Sequence, residues 1–206
     1  MAYKADEEIE APVREFLKRL GLEYQPRPDL LTVIIKIKHI NPAFNYARVP
    51  DHELPDAEAQ WDSDKFVLRM RESIFVGMQR GETRARSTVA HELSHYLHQH
   101  EGLLNRKPGA ITSEMIGNRL RSQEAEARRT AAVILAPEHL IPEGATAADI
   151  VAMFGLSPEA AIYRQQEIEG IRRRRRGEGR KIPQSIIDFL REAKRRGHPV
   201  QTRLDD

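Results

Sequence analysis

The chain has 206 residues, of which 40% are hydrophobic, so it is long enough to bury a core of its own. It contains no cysteine, which excludes disulfides, thiolate metal ligands and cysteine nucleophiles. The first residues are acidic and no apolar run approaches the roughly 20 residues of a membrane span, so we expect a cytoplasmic protein with no membrane partner.

The net charge of +2 conceals a difference between two parts of the chain. Residues 1–163 contain 20 Lys and Arg against 24 Asp and Glu, a net charge of −4, whereas residues 164–206 contain 13 against 7, a net charge of +6. A basic tail favours an anionic partner. The arginines at 172–176 are therefore a candidate for non-specific contact with the phosphates of a nucleic acid, and a solvated basic run is the alternative.

In the first part of the chain, hydrophobic periodicity predicts one helix and two strands. Apolar residues recur at helical spacing over residues 6–20, and Gly21 follows as a C-cap. The β-branched run over residues 30–37 predicts a strand. Residues 39–64 contain three prolines and many acids, which predicts a loop or partly ordered segment. Residues 66–71 alternate apolar and basic and predict a second strand, whose edge is either open to an extended peptide or an ordinary sheet edge.

Helices dominate the predictions for the second part. A helix is expected over residues 81–100, and one or two more over residues 113–135. A last short helix is expected around residues 186–190, and it ends near Gly197.

Residues 146–164 have the layout of a helix-turn-helix. Gly155 provides the turn between two apolar-patterned segments. Ser157 is then a good N-cap, and Pro158 occupies the first position of the second helix.

The helix predicted over residues 81–100 carries the motif His-Glu-x-x-His. Residues four apart on a helix point in nearly the same direction, so the imidazoles of His91 and His95 can bind one divalent metal ion, most often zinc. Glu92 is rotated from His91 by about 100°, which keeps its carboxylate off the metal but within reach of the attacking water. We expect Glu92 to accept a proton from that water and to pass it to the leaving amine.

A catalytic zinc site usually has three protein ligands, and the residues leave the third one open. Glu101 lies six residues after His95, but that spacing is used when a glycine occupies the position that His98 has here. Glu124 and Glu126 lie on the next predicted helix and are the other candidates.

Two segments of the sequence resemble the ImmA/IrrE metallopeptidase family. Residues 86–95 read Arg-Ser-Thr-Val-Ala-His-Glu-Leu-Ser-His, and residues 124–137 begin Glu-Ala-Glu-Ala and end Leu-Ala-Pro. The family shows Arg-x-Phe-Thr-x-Ala-His-Glu-x-x-His, followed by Glu-x-Glu-Ala-Asn-x-Phe-Ala-x-x-Leu-Leu-Met-Pro. The resemblance covers about residues 60–165, and two motifs in the right order are far more specific than the first alone.

The resemblance implies an α+β fold with a zincin-like, gluzincin-type core, in which a small β-sheet packs on the two motif helices. A helical, helix-turn-helix-like segment follows this core. We accordingly expect a metallopeptidase domain at residues 1–145, and a helix-turn-helix-like segment with a basic helical tail at residues 146–206.

Carried over residue by residue, the resemblance makes Glu124 the third metal ligand beside the two histidines. Zn²⁺ is the expected ion, with Mn²⁺ as an alternative. Glu126 then either orients a ligand or is a solvated helix acid. Four positions depart from the family pattern without removing a ligand or the base: Ser87 and Thr130 replace Phe, Arg128 replaces Asn, and Ala136 replaces Met.

The function that the resemblance implies is a zinc-dependent endopeptidase that cleaves a specific regulatory protein, a helix-turn-helix transcriptional repressor. The alternative is a regulatory protein that binds DNA or a transcription factor and keeps its metal only structurally. A toxin partner in a toxin–antitoxin pair is a third option.

Four other residues are considered without an assigned role. His98 and His100 follow the motif and are either ligands of a second metal ion or solvated polar residues. His139 and Tyr163 lie downstream and are candidates for the donor that stabilises a tetrahedral oxyanion.

Overall fold

The computed structural model describes residues 5–100, 113–178 and 184–198. The chain divides into two compact units, Met1–Ile168 and Glu169–Asp206. The first unit combines helices with a small three-stranded sheet, so the fold is α+β, as the sequence predicts. The assignment of functional domains on either side of residue 146 stays a prediction.

Helices account for most of the described chain. They are α1 Asp6–Arg19, α2 Leu30–Ile40, α3 Glu72–Gln79, α4 Thr83–Leu97, α5 Ser113–Leu135, α6 Ala147–Phe154, α7 Pro158–Arg175 and α8 Gln184–Arg195. The strands are β1 Asn45–Val49, β2 Ala59–Asp62 and β3 Val67–Arg71, and short 3₁₀ turns lie at Asp51–Glu53 and Glu138–Leu140. The predictions of α1, β3, α4, α5, α6 and α8 are confirmed to within a few residues, and α7 begins where predicted but continues to Arg175, well beyond residue 164.

The sheet has the strand order β1-β3-β2, with β1 parallel and β2 antiparallel to β3. Both sides of β3 are therefore paired, so β3 is the central strand, and both alternatives, an edge open to an extended peptide and an ordinary sheet edge, are wrong. Leu68 and Met70 are fully buried while their neighbours on β3 are half-buried, which accounts for the alternation in the sequence. The strand that borders α4 with its outer edge is β2.

Residues 30–37, predicted as a strand, lie in helix α2. The carboxylate of Asp29 caps this helix by accepting hydrogen bonds from the backbone N–H groups of Leu31 and Thr32, at 3.3 and 3.0 Å. The buried side chains recur with the period of a helix, at Leu30, Val33, Ile34 and Ile37. Burial of this stripe in the core outweighs the β-propensity of the individual residues.

The segment predicted as a loop, residues 39–64, contains β1 and β2. Its strands are short, and burial along β1 does not alternate, so the sequence lacks the usual pattern of a strand. Both strands form because β3 provides hydrogen-bond partners on its two sides. Phe44 and Trp61 stack with 5.6 Å between their ring centroids, and they attach the segment to the core.

Helices α4 and α5 pack against each other across the core. Both buried faces contain alanine, with Ala85, Ala90, Val89 and Leu93 on α4 and Ala127, Ala131 and Ile134 on α5. Small side chains let two helix axes lie close together. Polar side chains that flank these faces can therefore reach from one helix to the other.

Helices α6 and α7 follow the predicted layout in detail. Gly155 adopts a φ of 71°, which favours glycine, and it ends α6. The hydroxyl of Ser157 accepts a hydrogen bond from the backbone N–H of Ala160 at 3.2 Å, and Pro158 begins α7. The interpretation of this pair as a DNA-binding helix-turn-helix stays a prediction.

Arg164 on α7 is fully buried and has a partner for each of its guanidinium nitrogens. Its Nε donates to the carbonyl of Ala136 at 2.8 Å, Nη1 donates to Glu167 at 3.1 Å, and Nη2 donates to Glu10. Glu10, on α1, also accepts a hydrogen bond from the backbone N–H of Glu138 at 3.2 Å. These bonds join α1, the end of α5 and the start of α7.

The second unit contains the end of α7, with the arginines of residues 172–176, and helix α8. Ile186 and Phe189 on α8 are exposed. Across the part of the chain that the structure describes, no helix combines the length and the apolar character that crossing a membrane requires.

Candidate metal centre

Helix α4 places the rings of His91 and His95 one turn apart on the same side, as predicted. Their Nε2 atoms lie 3.1 Å apart, and both side chains are mostly buried. Two ring nitrogens at this separation repel each other unless a proton or a cation lies between their lone pairs.

Glu124 on α5 brings a carboxylate to the same point. Its Oε2 lies 3.1 Å from Nε2 of His91, and its Oε1 lies 3.4 Å from Nε2 of His95. The donor atoms of these three residues lie within 4.8 Å of one another, and no other such group of three occurs within the described ranges of the chain. Two imidazoles and one carboxylate fit a zinc ion that keeps one coordination position open.

The imidazole of His95 is suited to metal binding because it is neutral. Burial and, to a smaller extent, the neighbouring His91 lower its pKa to about 4, although the carboxylate of Glu124 opposes the shift. At neutral pH the ring therefore keeps a lone pair available for a cation.

Glu92 lies beside this group and reaches the outer edge of β2. Its Oε2 accepts a hydrogen bond from the backbone N–H of Trp61 at 2.7 Å. Burial raises the pKa of Glu92 to about 7; the Trp61 N–H opposes this rise, and the negative charge of Glu124 adds to it. A carboxyl group with a pKa near neutrality can both accept and release a proton at the pH of the cell.

Glu126 lies two residues after Glu124 and is only 9% exposed, so its interpretation as a solvated acid is wrong. Its Oε1 lies 3.4 Å from Nδ1 of His98, and its Oε2 lies 3.4 Å from Nε2 of His100. Nε2 of His98 lies 2.7 Å from the hydroxyl of Thr130. The rings of His98 and His100 stack with 5.3 Å between their centroids. The interpretation of His98 and His100 as solvated residues is wrong for the same reason.

The remaining sequence candidates lie elsewhere. Glu101 is outside the described residues. Nε2 of His139 lies 2.7 Å from the backbone carbonyl of Glu23, in the segment between α1 and α2. Tyr163 is 62% exposed on α7. The residue that stabilises an oxyanion stays unassigned.

A cleft of about 680 Å³ lies next to the end of α4, and none of His91, His95 and Glu124 lines it. Trp61 and Tyr96 form one wall, with their rings in edge-to-face contact at 5.2 Å. Asn41 donates a hydrogen bond to the hydroxyl of Tyr96 at 3.2 Å. Two features relate the cleft to the centre: the backbone N–H of Trp61 binds Glu92, and Tyr96 lies on the same helix as His91 and His95.

Two residues that line this cleft have an unusual backbone conformation. Phe66 and Gln99 each adopt a φ of 51°, in the left-handed region. A residue with a β-carbon is rare there and costs about 1 kcal/mol or more. Phe66 is also 44% exposed and contacts Trp61 edge to face at 5.9 Å.

Residues 49–165, which are 117 of the 206 residues of the chain, match the Peptidase_M78 family, described as the IrrE N-terminal-like domain. The chain belongs to the Peptidase_M78 family. The matched span of this Peptidase_M78 chain includes His91, Glu92, His95 and Glu124. The predicted relation to the ImmA/IrrE metallopeptidases is thereby confirmed.

Among solved structures, a Mycobacterium tuberculosis transcriptional regulator is similar to 76% of the Peptidase_M78 chain, with 14% sequence identity and a TM-score of 0.48. The chain spans 46% of the length of that protein. No curated protein matches the chain.

Sequence reasoning missed three features of this centre: the backbone N–H of Trp61, the contact of His98 with Thr130, and the place of His100. A backbone N–H leaves no trace in a sequence. Thr130, in contrast, stands where the family has Phe, and the structure places its hydroxyl against a histidine. This departure and the nearby histidine, taken together, could have indicated the contact.

Proposed function

We propose that this Peptidase_M78 protein is a zinc-dependent endopeptidase with a zincin-like core. The observation that carries the proposal is the convergence of His91, His95 and Glu124 on one point, with Glu92 beside them. Family membership supports a metal-dependent peptidase that acts on a protein substrate.

Zn²⁺ is the proposed ion, held by His91, His95 and Glu124, and Mn²⁺ is the alternative. A site with nitrogen and carboxylate donors and no thiolate suits either ion, and three protein ligands suit catalytic zinc. When bound, zinc supplies the Lewis acidity that polarises the scissile carbonyl and lowers the pKa of the attacking water.

Glu92 is proposed as the general base and then the general acid. Its carboxylate accepts a proton from the attacking water as the C–O bond forms, and it passes this proton to the amine nitrogen as the C–N bond breaks. The hydrogen bond from the Trp61 N–H holds one oxygen of the carboxylate and leaves the other for this transfer. A pKa raised by burial matches the carboxyl group to both steps.

The proposed substrate is a regulatory protein of the helix-turn-helix repressor class, cleaved in the cytoplasm. The outer edge of β2 borders α4, and an extended peptide can lie along such an edge. The aromatic cleft beside it supports binding of an apolar side chain next to the scissile bond.

The competing function is a regulator that binds DNA without proteolysis, and the arginines at 172–176 favour an anionic partner for it. Helix α7 supports reading of bases poorly, because Arg164 is buried. The first turns of α7 expose Glu159, Ile162 and Tyr163, none of which is positively charged, whereas the exposed arginines of this helix, Arg174 and Arg175, lie at its end. Salt-sensitive DNA binding that is lost when the five arginines are replaced by glutamine, and kept in Glu92→Gln, would favour the competing function.

The test of the endopeptidase proposal is Glu92→Gln in the full chain, loaded with zinc and incubated with a helix-turn-helix repressor encoded beside it. We expect cleavage to slow by about 10²- to 10⁴-fold, because the shape is kept and the base is removed. Glu82→Gln is the matched control, since Glu82 lies at the start of the same helix and makes no capping bond with its side chain. Cleavage by Glu92→Gln at the rate of the unchanged protein would disprove the mechanism.

A further inference from the structure

The ring of His95 has a second polar contact on the side away from the other metal ligands. Its Nδ1 lies 3.0 Å from Nδ1 of His100. Two ring nitrogens at this distance form a hydrogen bond only when one carries a proton and the other presents a lone pair. The contact therefore couples the tautomers of the two rings.

The end of α4 creates this contact. The backbone N–H of His100 binds the carbonyl of His95 at 3.0 Å, and the N–H of Gln99 binds the carbonyl of Tyr96 at 3.1 Å. With Gln99 in the left-handed conformation, these two bonds form a Schellman motif. The motif usually brings two apolar side chains into contact at the positions that His95 and His100 occupy here.

The direction of the hydrogen bond follows from the metal site. Nε2 of His95 faces His91 and Glu124, so a ligated His95 has its lone pair on Nε2 and its proton on Nδ1. Nδ1 of His100 must then accept, which places the proton of His100 on Nε2. That atom lies 3.4 Å from Oε2 of Glu126, a contact between charges that does not meet the geometry of a hydrogen bond, so the negative charge of the buried carboxylate favours a proton on Nε2.

We propose that Glu126, acting through His100, positions His95 for metal binding. The inference rests on the proposed metal site and makes Glu126 and His100 positioning residues. The pull of the carboxylate orients the ring and increases the electron density on Nε2 of His95. His98 contacts the other oxygen of Glu126 and the hydroxyl of Thr130. The hydrogen bond with the ring of His95 is formed by His100.

The first measurement is zinc affinity of the full chain, by competition with a chromophoric chelator. We expect Glu126→Gln and His100→Leu each to weaken zinc binding about 10- to 100-fold. Because the two residues act in series, the zinc affinity of the double variant should equal that of whichever single variant binds zinc more weakly. If the two effects multiply instead, Glu126 does not act through His100 and the proposal is overturned.

His98→Gln is the matched control, because glutamine can keep the bond to Thr130 while the contact with the other oxygen of Glu126 is lost. We expect its zinc affinity to stay within about threefold of the unchanged protein. A loss as large as that of Glu126→Gln would mean that any damage to this cluster weakens the site, and would overturn the path through His100.

The second measurement separates positioning from mere packing. Long-range ¹H–¹⁵N spectra of the zinc-loaded protein report which ring nitrogen carries the proton, and we expect the Nε2–H tautomer for His100. The Nδ1–H tautomer would overturn the proposal, even if the variants bind zinc weakly. Absence of zinc binding by the unchanged protein would defeat the proposed function as well, whereas equal binding by protein and variants would defeat only this inference.

Discussion

Two polar clusters of the molecule, one buried and one partly exposed, differ in how their charges are met. The Arg164 cluster consists of Arg164, Glu10 and Glu167, in which one cation lies among acceptors and each guanidinium nitrogen has a partner. The donor cluster consists of His91, His95 and Glu124, three groups whose lone pairs face one another.

The difference separates a cluster whose charges the fold itself neutralises from one whose donor atoms lie together without an opposite charge from the protein. Desolvation of a charge is tolerated when the fold itself supplies the opposite charge, as around Arg164. Two imidazoles and a carboxylate in mutual contact form a group of donor atoms that a cation would stabilise. The two clusters differ in burial, and they differ also in the chemical nature of the partners.

Arg164→Met removes the cation of the Arg164 cluster and tests whether this cluster stabilises the fold. Removing the guanidinium leaves the buried carboxylate of Glu10 without its counter-charge, so we expect a loss of about 3–5 kcal/mol in the free energy of unfolding, measured with urea. Zinc affinity should stay unchanged. The double variant Arg164→Met with Glu10→Leu should recover much of the loss, and a loss below about 1 kcal/mol in the single variant would contradict this role.

Glu124→Ala should instead abolish the effect of zinc and leave the stability of the metal-free protein almost unchanged. The side chain of Glu124 is 45% exposed, so its removal should change the unfolding free energy of the metal-free protein by less than about 1 kcal/mol. Zinc at 100 times its Kd should stabilise the unchanged protein by about 2.7 kcal/mol, and this gain should disappear in the variant. Thermal unfolding with zinc and with a chelator measures both. An equal zinc shift in both proteins would remove Glu124 from the ligand set.

Gln99→Gly should have the smallest effect of the three variants, on the stability of the turn that ends α4. Glycine adopts the left-handed conformation without strain, so we expect a gain of about 1 kcal/mol in the free energy of unfolding, measured by chemical denaturation. Zinc affinity should be retained, because the Schellman motif that places His100 is preserved. Ala in place of Gln99 is the control and should give no such gain, and a destabilised glycine variant would show that no strain is stored there.

The sequence predicted the centre better than the surrounding fold. The spacing of His91 and His95 depends only on the geometry of one helix, and the predicted helix α4 is confirmed. Glu124 could be named because a second motif resembled a family pattern, and not because its distance from His91 could be calculated. Helix α2 was predicted as a strand, since β-branched residues outweighed the capping signal of Asp29.

The sequence alone predicted features that depend on neighbouring residues, namely the helix that carries the histidines and the capped turn at Gly155, and it excluded thiolate ligands. The distant groups that contact these residues became known from the tertiary structure. It brought Glu124 to the imidazoles, the Trp61 N–H to Glu92, and a charged partner to Arg164. The physical reason is that spacing along the chain sets directions within one helix, whereas contacts between helices depend on how the whole apolar core packs.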